Sequence, residues 1–166
     1  MHSSLFLEYM RTGTIPPLAK EDTKSEVESK LGPPDDWKGR IGGIGWEGPP
    51  FADFQDSWAW HYGSLCVRFP DPSLYGLPGI SLDFSDIFKP IRFLAPFGDL
   101  PSASFTIREL IDMLRSHDIQ FEDLRPDRVE GLVLVSEGGV AVTSRGGDCS
   151  PNARVTYLFP HEFNAA

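Results

Sequence analysis

Apolar residues recur along this chain with two periods, and the change from one period to the other happens twice. Near the start, Leu5, Tyr9 and Met10 fall at helical spacing, with Ser3 or Ser4 available as N-cap and Gly13 just beyond, which predicts a short helix over residues 3–12. A second helix is announced by Thr23-Lys24-Ser25-Glu26, a capping box in which hydroxyl and carboxylate satisfy free amides reciprocally. It runs to Leu31, where Gly32 and Pro33 stop it. The period then becomes two. In SWAWHYGSLCVRF (57–69), a turn at Tyr62 and Gly63 sets Trp60 opposite Leu65 and Trp58 opposite Val67, and these four with Phe69 form the core side of a hairpin. His61, Ser64, Cys66 and Arg68 point the other way. GISLDF (79–84) alternates Ile80, Leu82 and Phe84 with Ser81 and Asp83 and completes a three-stranded meander.

The sequence of signals then repeats. Phe105 precedes a second capping box, Thr106 to Glu109, and is placed to staple onto Leu110, while Ile107, Leu110, Ile111 and Leu114 mark a buried stripe. Strands at 132–135 and 140–143 are joined through Ser136, Glu137, Gly138 and Gly139, a strong hairpin signal, and a last strand covers 154–159. The expected fold is α+β: two pattern repeats of helix plus three-stranded antiparallel meander, about 1–84 and 105–160, with a Phe- and Pro-rich connection at 85–104. The two meanders are expected to form one continuous sheet with the helices packed on one face, in a single compact domain over 1–166. Length and composition agree with one core, because 166 residues that are 40% hydrophobic and 12% aromatic bury enough apolar surface to offset chain entropy. With 16 Gly and 15 Pro, loops must be many.

Charge narrows the choice of partner. There are 15 basic and 24 acidic residues, a net charge of −9, and a field of that sign repels nucleic-acid phosphate and favours a basic protein. The first residues, MHSSLFLEYM, lack a basic leader region, and no stretch approaches the ~20 apolar residues of a membrane span, so a cytoplasmic location off the membrane is expected. Cys66 and Cys149 imply no disulfide there.

Chemistry is sparse. Neither HExxH nor paired CxxC occurs, and His2, His61, His117 and His161 are scattered, so no metal or other cofactor is expected. Cys66 shares a strand face with His61, which gives a small Cys-His hydrolase as a third reading, but no nucleophile-elbow motif is present and a small half-buried structural cysteine suits the position. RIGGIGWEG has the glycines of a phosphate loop without its strand, its lysine or its helix. Glu122 and Asp123 read as solvated charges. No catalytic residue is assigned. The distinctive stretch is residues 32–56, where no period holds and acidic residues interleave with aromatics: Asp35, Asp36, Trp37, Trp46, Glu47, Phe51, Asp53, Phe54 and Asp56. Carboxylates steer and aromatics anchor, so Asp35, Asp36, Trp46, Glu47, Asp53 and Asp56 are the expected partner-binding residues. The competing reading folds the aromatics, Trp37 and Phe54 above all, back onto the core.

LGPPDDW after a capped helix, followed by WHYGSLCVRF, resembles a pattern of small bacterial proteins similar to immunity proteins of polymorphic toxin systems. The residues that carry it are Leu31, Gly32, Pro33, Trp60, Tyr62, Gly63, Leu65 and Phe69. The tandem helix-plus-meander plan is also similar to the beta-lactamase-inhibitor protein and the BamE-like fold. The resemblance implies a cytoplasmic antitoxin that neutralises a basic toxin domain by covering its active site or an exosite. The alternative is a non-catalytic scaffold that binds a peptide or small ligand on its sheet.

Overall fold

A computed structural model describes residues 4–35, 37, 53–63, 65–70, 77–83, 105–126 and 131–163, and the structural statements below concern these. Three helices, α1 (Ser4–Thr12), α2 (Lys24–Leu31) and α3 (Ile107–Ser116), accompany seven strands: β1 (Ala59–Tyr62), β2 (Leu65–Arg68), β3 (Gly79–Asp83), β4 (Phe121–Asp123), β5 (Leu132–Ser136), β6 (Val140–Ser144) and β7 (Val155–Pro160). The strands form one antiparallel sheet in the order β1-β2-β3-β7-β6-β5-β4. Chain neighbours pair throughout except at the centre, where β3 meets β7. The connection at 85–104 lies outside the described residues.

The helices start where local chemistry places them. Both capping boxes are present, with the amides of Thr23 and Thr106 each donating at 2.8 Å to the carboxylates of Glu26 and Glu109. Phe6, Tyr9 and Met10 of α1, Val27 of α2 and the stripe of α3 meet Trp60, Tyr62, Leu65, Val67, Ile80, Leu82, Val142 and Leu158 in one cluster, so all three helices pack on the same sheet face. The other face carries a smaller cluster of Leu132, Val135 and Ala141, with Leu124, Phe159 and Phe163 against it.

Three expectations need correction. The hairpin turn lies between Tyr62 and Leu65, not at Tyr62 and Gly63, so Trp60 pairs with Val67 and Tyr62 with Leu65. The shift is an even number of residues, which preserves every side chain's face, and Gly63 supplies the left-handed φ of 64°. Trp58 stays half-buried just ahead of β1, while Trp60 is fully buried with its ring 4.8 Å from that of Phe69. Finally, the second meander has four strands. Glu122 and Asp123 sit in β4, paired with Val135 and Leu134, because a three-residue strand is too short to display a period and is defined by its neighbour alone.

The β5–β6 turn seals the end of α1. The Gly138 amide donates to the Met10 carbonyl at 3.2 Å, and a Cβ at Gly138 would sit 2.6 Å from the Gly13 nitrogen and 2.7 Å from that of Thr12. Both obstacles are backbone. Gly138→Ala is therefore expected to lower stability by about 1–3 kcal/mol, the usual cost of overpacking, read as a fall in the thermal midpoint of roughly 2–4 °C per kcal/mol. A midpoint equal to that of the parent protein would show that the turn and α1 are not in contact.

Candidate functional site

The start of the acidic, aromatic stretch is fastened along β1, an edge strand. The Asp35 amide donates to the His61 carbonyl at 2.9 Å, and the Ser57 hydroxyl donates to the Trp37 carbonyl at 2.9 Å. The stretch returns to the same place at residues 53–57. Asp53 caps a single turn of 3-10 helix, Phe54–Asp56, by accepting from the Gln55 amide at 3.0 Å. Gln55 then ties this turn to α2: its side-chain amide donates to Glu28 at 2.7 Å, and its carbonyl accepts from the Lys24 ammonium.

Aromatic and acidic residues separate at this point. Trp37, Phe54, Trp60 and Phe69 form an edge-to-face series, with ring centroids 5.9, 5.2 and 4.8 Å apart, that runs from the surface into the core. The Trp60 indole also donates to the Phe54 carbonyl at 2.7 Å. Trp37 and Phe54 thus fold back onto the core, as the competing reading has it. The carboxylates of Asp35, Asp53 and Asp56 remain exposed, with Glu28 half-buried beside them. Tyr62 registers their field. Its hydroxyl donates to the Gly32 carbonyl at 3.0 Å, and its pKa is driven up by burial and further by the negative charges of Glu28 and Asp35. Lys24 is a counter-charge within this rim, 5.7 Å above the Phe69 ring.

Of the six residues expected to bind a partner, Asp35, Asp53 and Asp56 come together on the flank of β1. Asp36, Trp46 and Glu47 lie outside the described residues. Glu28 is an addition that sequence reasoning missed; its signal was an acidic side chain one turn before the Gly32-Pro33 helix stop, on a helix whose only buried residue is Val27.

A second polar group lies on the face away from the helices. Register sets His61 opposite Cys66 and Cys66 opposite Ser81 across β1, β2 and β3. The Cys66 sulfur is 3.9 Å from His61 Nε2. Burial pushes the Cys66 thiol up, but the neighbouring His61 and Arg68 more than offset this and hold it below the ordinary thiol range. Arg68 in turn donates to the Tyr157 hydroxyl at 2.6 Å, while burial, opposed by the Arg68 charge, raises the Tyr157 phenol. Arg68 Nε and Ser81 Oγ are buried and meet no acceptor or donor in ideal geometry, but the Tyr157 phenol lies in hydrogen-bonding reach of Ser81 and the Cys66 thiol in that of Arg68. The Cys66 side of this row is closed to a bulky substrate, since Cys66 is only 7% exposed. Sequence reasoning placed Cys66, His61 and Arg68 on this face and missed Tyr157, which arrives from 89 residues beyond Arg68.

Among the described residues, no group of three or more His, Cys, Asp or Glu side chains could hold a metal ion, and no helix is long and apolar enough to cross a membrane. No protein-family model matches the chain, and no curated protein or solved structure was found to match it.

The Arg68–Tyr157 bond gives a direct test of this row. Tyr157→Phe removes the acceptor of Arg68 together with the phenol's contact with Ser81, so it is expected to cost about 1–3 kcal/mol in urea unfolding, chiefly the penalty for a guanidinium donor left unpaired in a partly buried place. An unchanged midpoint and slope would mean that the bond is not made.

Proposed function

We propose that this chain is a protein-binding inhibitor of the immunity type, which holds a basic toxin domain against the rim of Glu28, Asp35, Asp53 and Asp56 and covers its active site or an exosite. The observation that carries the reading is the separation just described: among the described residues of the stretch, Trp37 and Phe54 brace it from within, and the carboxylates of Asp35, Asp53 and Asp56 are exposed along the edge strand. Fixed charges of one sign accelerate encounter with an opposite field and lose little entropy on binding. The net charge of −9 acts in the same sense at longer range. In this reading Asp36 and Glu47 belong to the same acidic surface, Trp46 is the aromatic anchor, and the chain performs no catalysis of its own. We also read the two halves, each a capping-box helix followed by a meander, as a duplication that the fourth strand β4 has since extended.

One observation favours a second reading, a non-catalytic ligand-binding scaffold. A cavity of about 300 Å³ opens between Lys20 and Glu21 on one side and Leu77, Pro78, Pro160 and His161 on the other, and Leu77 is the exposed large apolar residue among those described. It lies beside the start of β3 and the end of β7 and shares no residue with the rim.

Binding kinetics against the co-purified partner decide between them. Neutralising the rim with Glu28→Gln, Asp35→Asn, Asp53→Asn and Asp56→Asn together is expected to slow association by about ten-fold or more at low salt and to flatten its salt dependence, leaving dissociation nearly unchanged. Trp46→Ala is expected to do the opposite, raising the dissociation rate. An association rate indifferent to salt and to the four substitutions removes the rim from the account, and binding abolished by Leu77→Asp instead supports the scaffold.

A further inference from the structure

The ladder between β3 and β7 runs from the Asp83–Tyr157 pair to the Leu82–Leu158 pair and stops there. Two pairs further on, the same register would set Ile80 opposite Pro160, which has no amide to donate, and the Ile80 carbonyl accepts from the Tyr9 hydroxyl instead. The Pro160 ring lies against Gly79, so closely that a Cβ there would come within 2.9 Å of its Cγ. Beside this apolar contact opens the cavity of about 300 Å³, with the buried Ile80 and Val140 and the exposed Leu77 and Pro78 among its lining.

The opposite wall is charged and firmly held. The Asp22 amide donates to the Ala19 carbonyl at 3.3 Å and the Ala19 amide to the Asp22 carboxylate at 2.7 Å, which closes a tight turn over residues 19–22. Lys30 of α2 fastens that turn through an ion pair with Asp22 at 2.7 Å. Its two middle residues, Lys20 and Glu21, line the cavity. One ammonium hydrogen of Lys20 goes to the Gly138 carbonyl at 3.2 Å, and the group has two more to offer.

We propose that this cavity is a binding site for a free α-amino acid with an apolar side chain of the size of leucine or phenylalanine. Its carboxylate meets Lys20, its ammonium meets Glu21, and its side chain covers Leu77, Pro78 and Pro160. Charge complementarity selects this class: a cation and an anion side by side on one wall match both ends of a zwitterion, whereas a simple amine or carboxylic acid satisfies one and leaves the other facing an apolar group. The volume is at the lower end of ligand pockets and suits a single amino acid over a peptide. The site is independent of the acidic rim, so its failure would leave the rim reading untouched.

The test is an NMR titration of the full chain, read at the backbone amides, with L-phenylalanine as probe. Three relatives each lack one part of it: phenethylamine has no carboxylate, hydrocinnamate no ammonium and glycine no apolar side chain. L-phenylalanine is expected to give saturable shifts centred on Gly79, Gly138, Gly139 and Val140, with a Kd on the order of 1 mM, since so small a ligand in an open cavity gains little. Phenethylamine and hydrocinnamate are each expected to bind about two- to five-fold more weakly, the worth of one exposed ion pair, and glycine not to saturate. Lys20→Gln is expected to erase the preference over phenethylamine and keep that over hydrocinnamate, and Glu21→Gln to do the reverse; both residues are exposed, so both variants keep the fold. No saturable shift at ten times that concentration overturns the proposal. So do saturable shifts centred away from the cavity, or preferences that neither substitution changes.

Discussion

The pairing of β3 with β7 is the contact on which the other features depend. It is short, with Leu82 opposite Leu158 and Asp83 opposite Tyr157, yet it joins the strands β1–β3 to the strands β4–β7 in one sheet. Leu82 and Leu158 are both fully buried beneath the helices, and the Tyr9 hydroxyl of α1 donates to the Ile80 carbonyl at 2.8 Å beside the seam. Burial raises the Tyr9 phenol far above its ordinary range, which keeps it a neutral donor at any physiological pH. From the other side, the chain entering β7 is fastened to the start of α3: Ile107 donates to Ala153 at 2.9 Å and Val155 to Phe105 at 2.7 Å. A three-stranded meander with one or two short helices has a marginal core; two that share a seam have an ample one.

The same seam creates the polar row. Tyr157 reaches Arg68 only because β7 lies beside β3 and β2 on the far side of β3, while Arg68 stands near Cys66 as the alternate residue of the same strand. His61 then links this row to the acidic rim. Its carbonyl accepts from the Asp35 amide on the outer edge of β1, and its imidazole meets the Cys66 sulfur on the sheet face. The two features are thus adjacent parts of one edge, built on a strand four residues long.

What could be read from the sequence was whatever local chemistry determines. The capping boxes at Thr23 and Thr106 are complete within four residues, and both helices begin there. Face assignment in the first meander survived a misplaced turn because side-chain parity depends on alternation and not on which residues form the turn. Strand β4 was invisible because its pairing with β5, and not its own three residues, makes it a strand. Trp58 and Trp60 are equivalent by period, and only the series from Trp37 to Phe69 distinguishes the buried one from the half-buried one. At the candidate site, the acidic character of Asp35, Asp53 and Asp56 was legible as composition; that Gln55 and Glu28 tie them to α2 was not, since that contact spans 27 residues. The presence of Tyr157 beside Arg68 was unreadable for the same reason, because it needs the β3–β7 seam.

The rim flanking β1 is the proposed partner-binding surface. Hydrogen exchange measured on the chain alone and in complex with a co-purified partner locates the surface that is covered. Binding at the rim predicts added protection at the amides of residues 35 and 53–57 and along β1, with exchange at β4 and the β5–β6 turn unchanged. Protection confined to β4, to the β5–β6 turn or to the cavity around Leu77, with the rim exchanging as in the free chain, would contradict it.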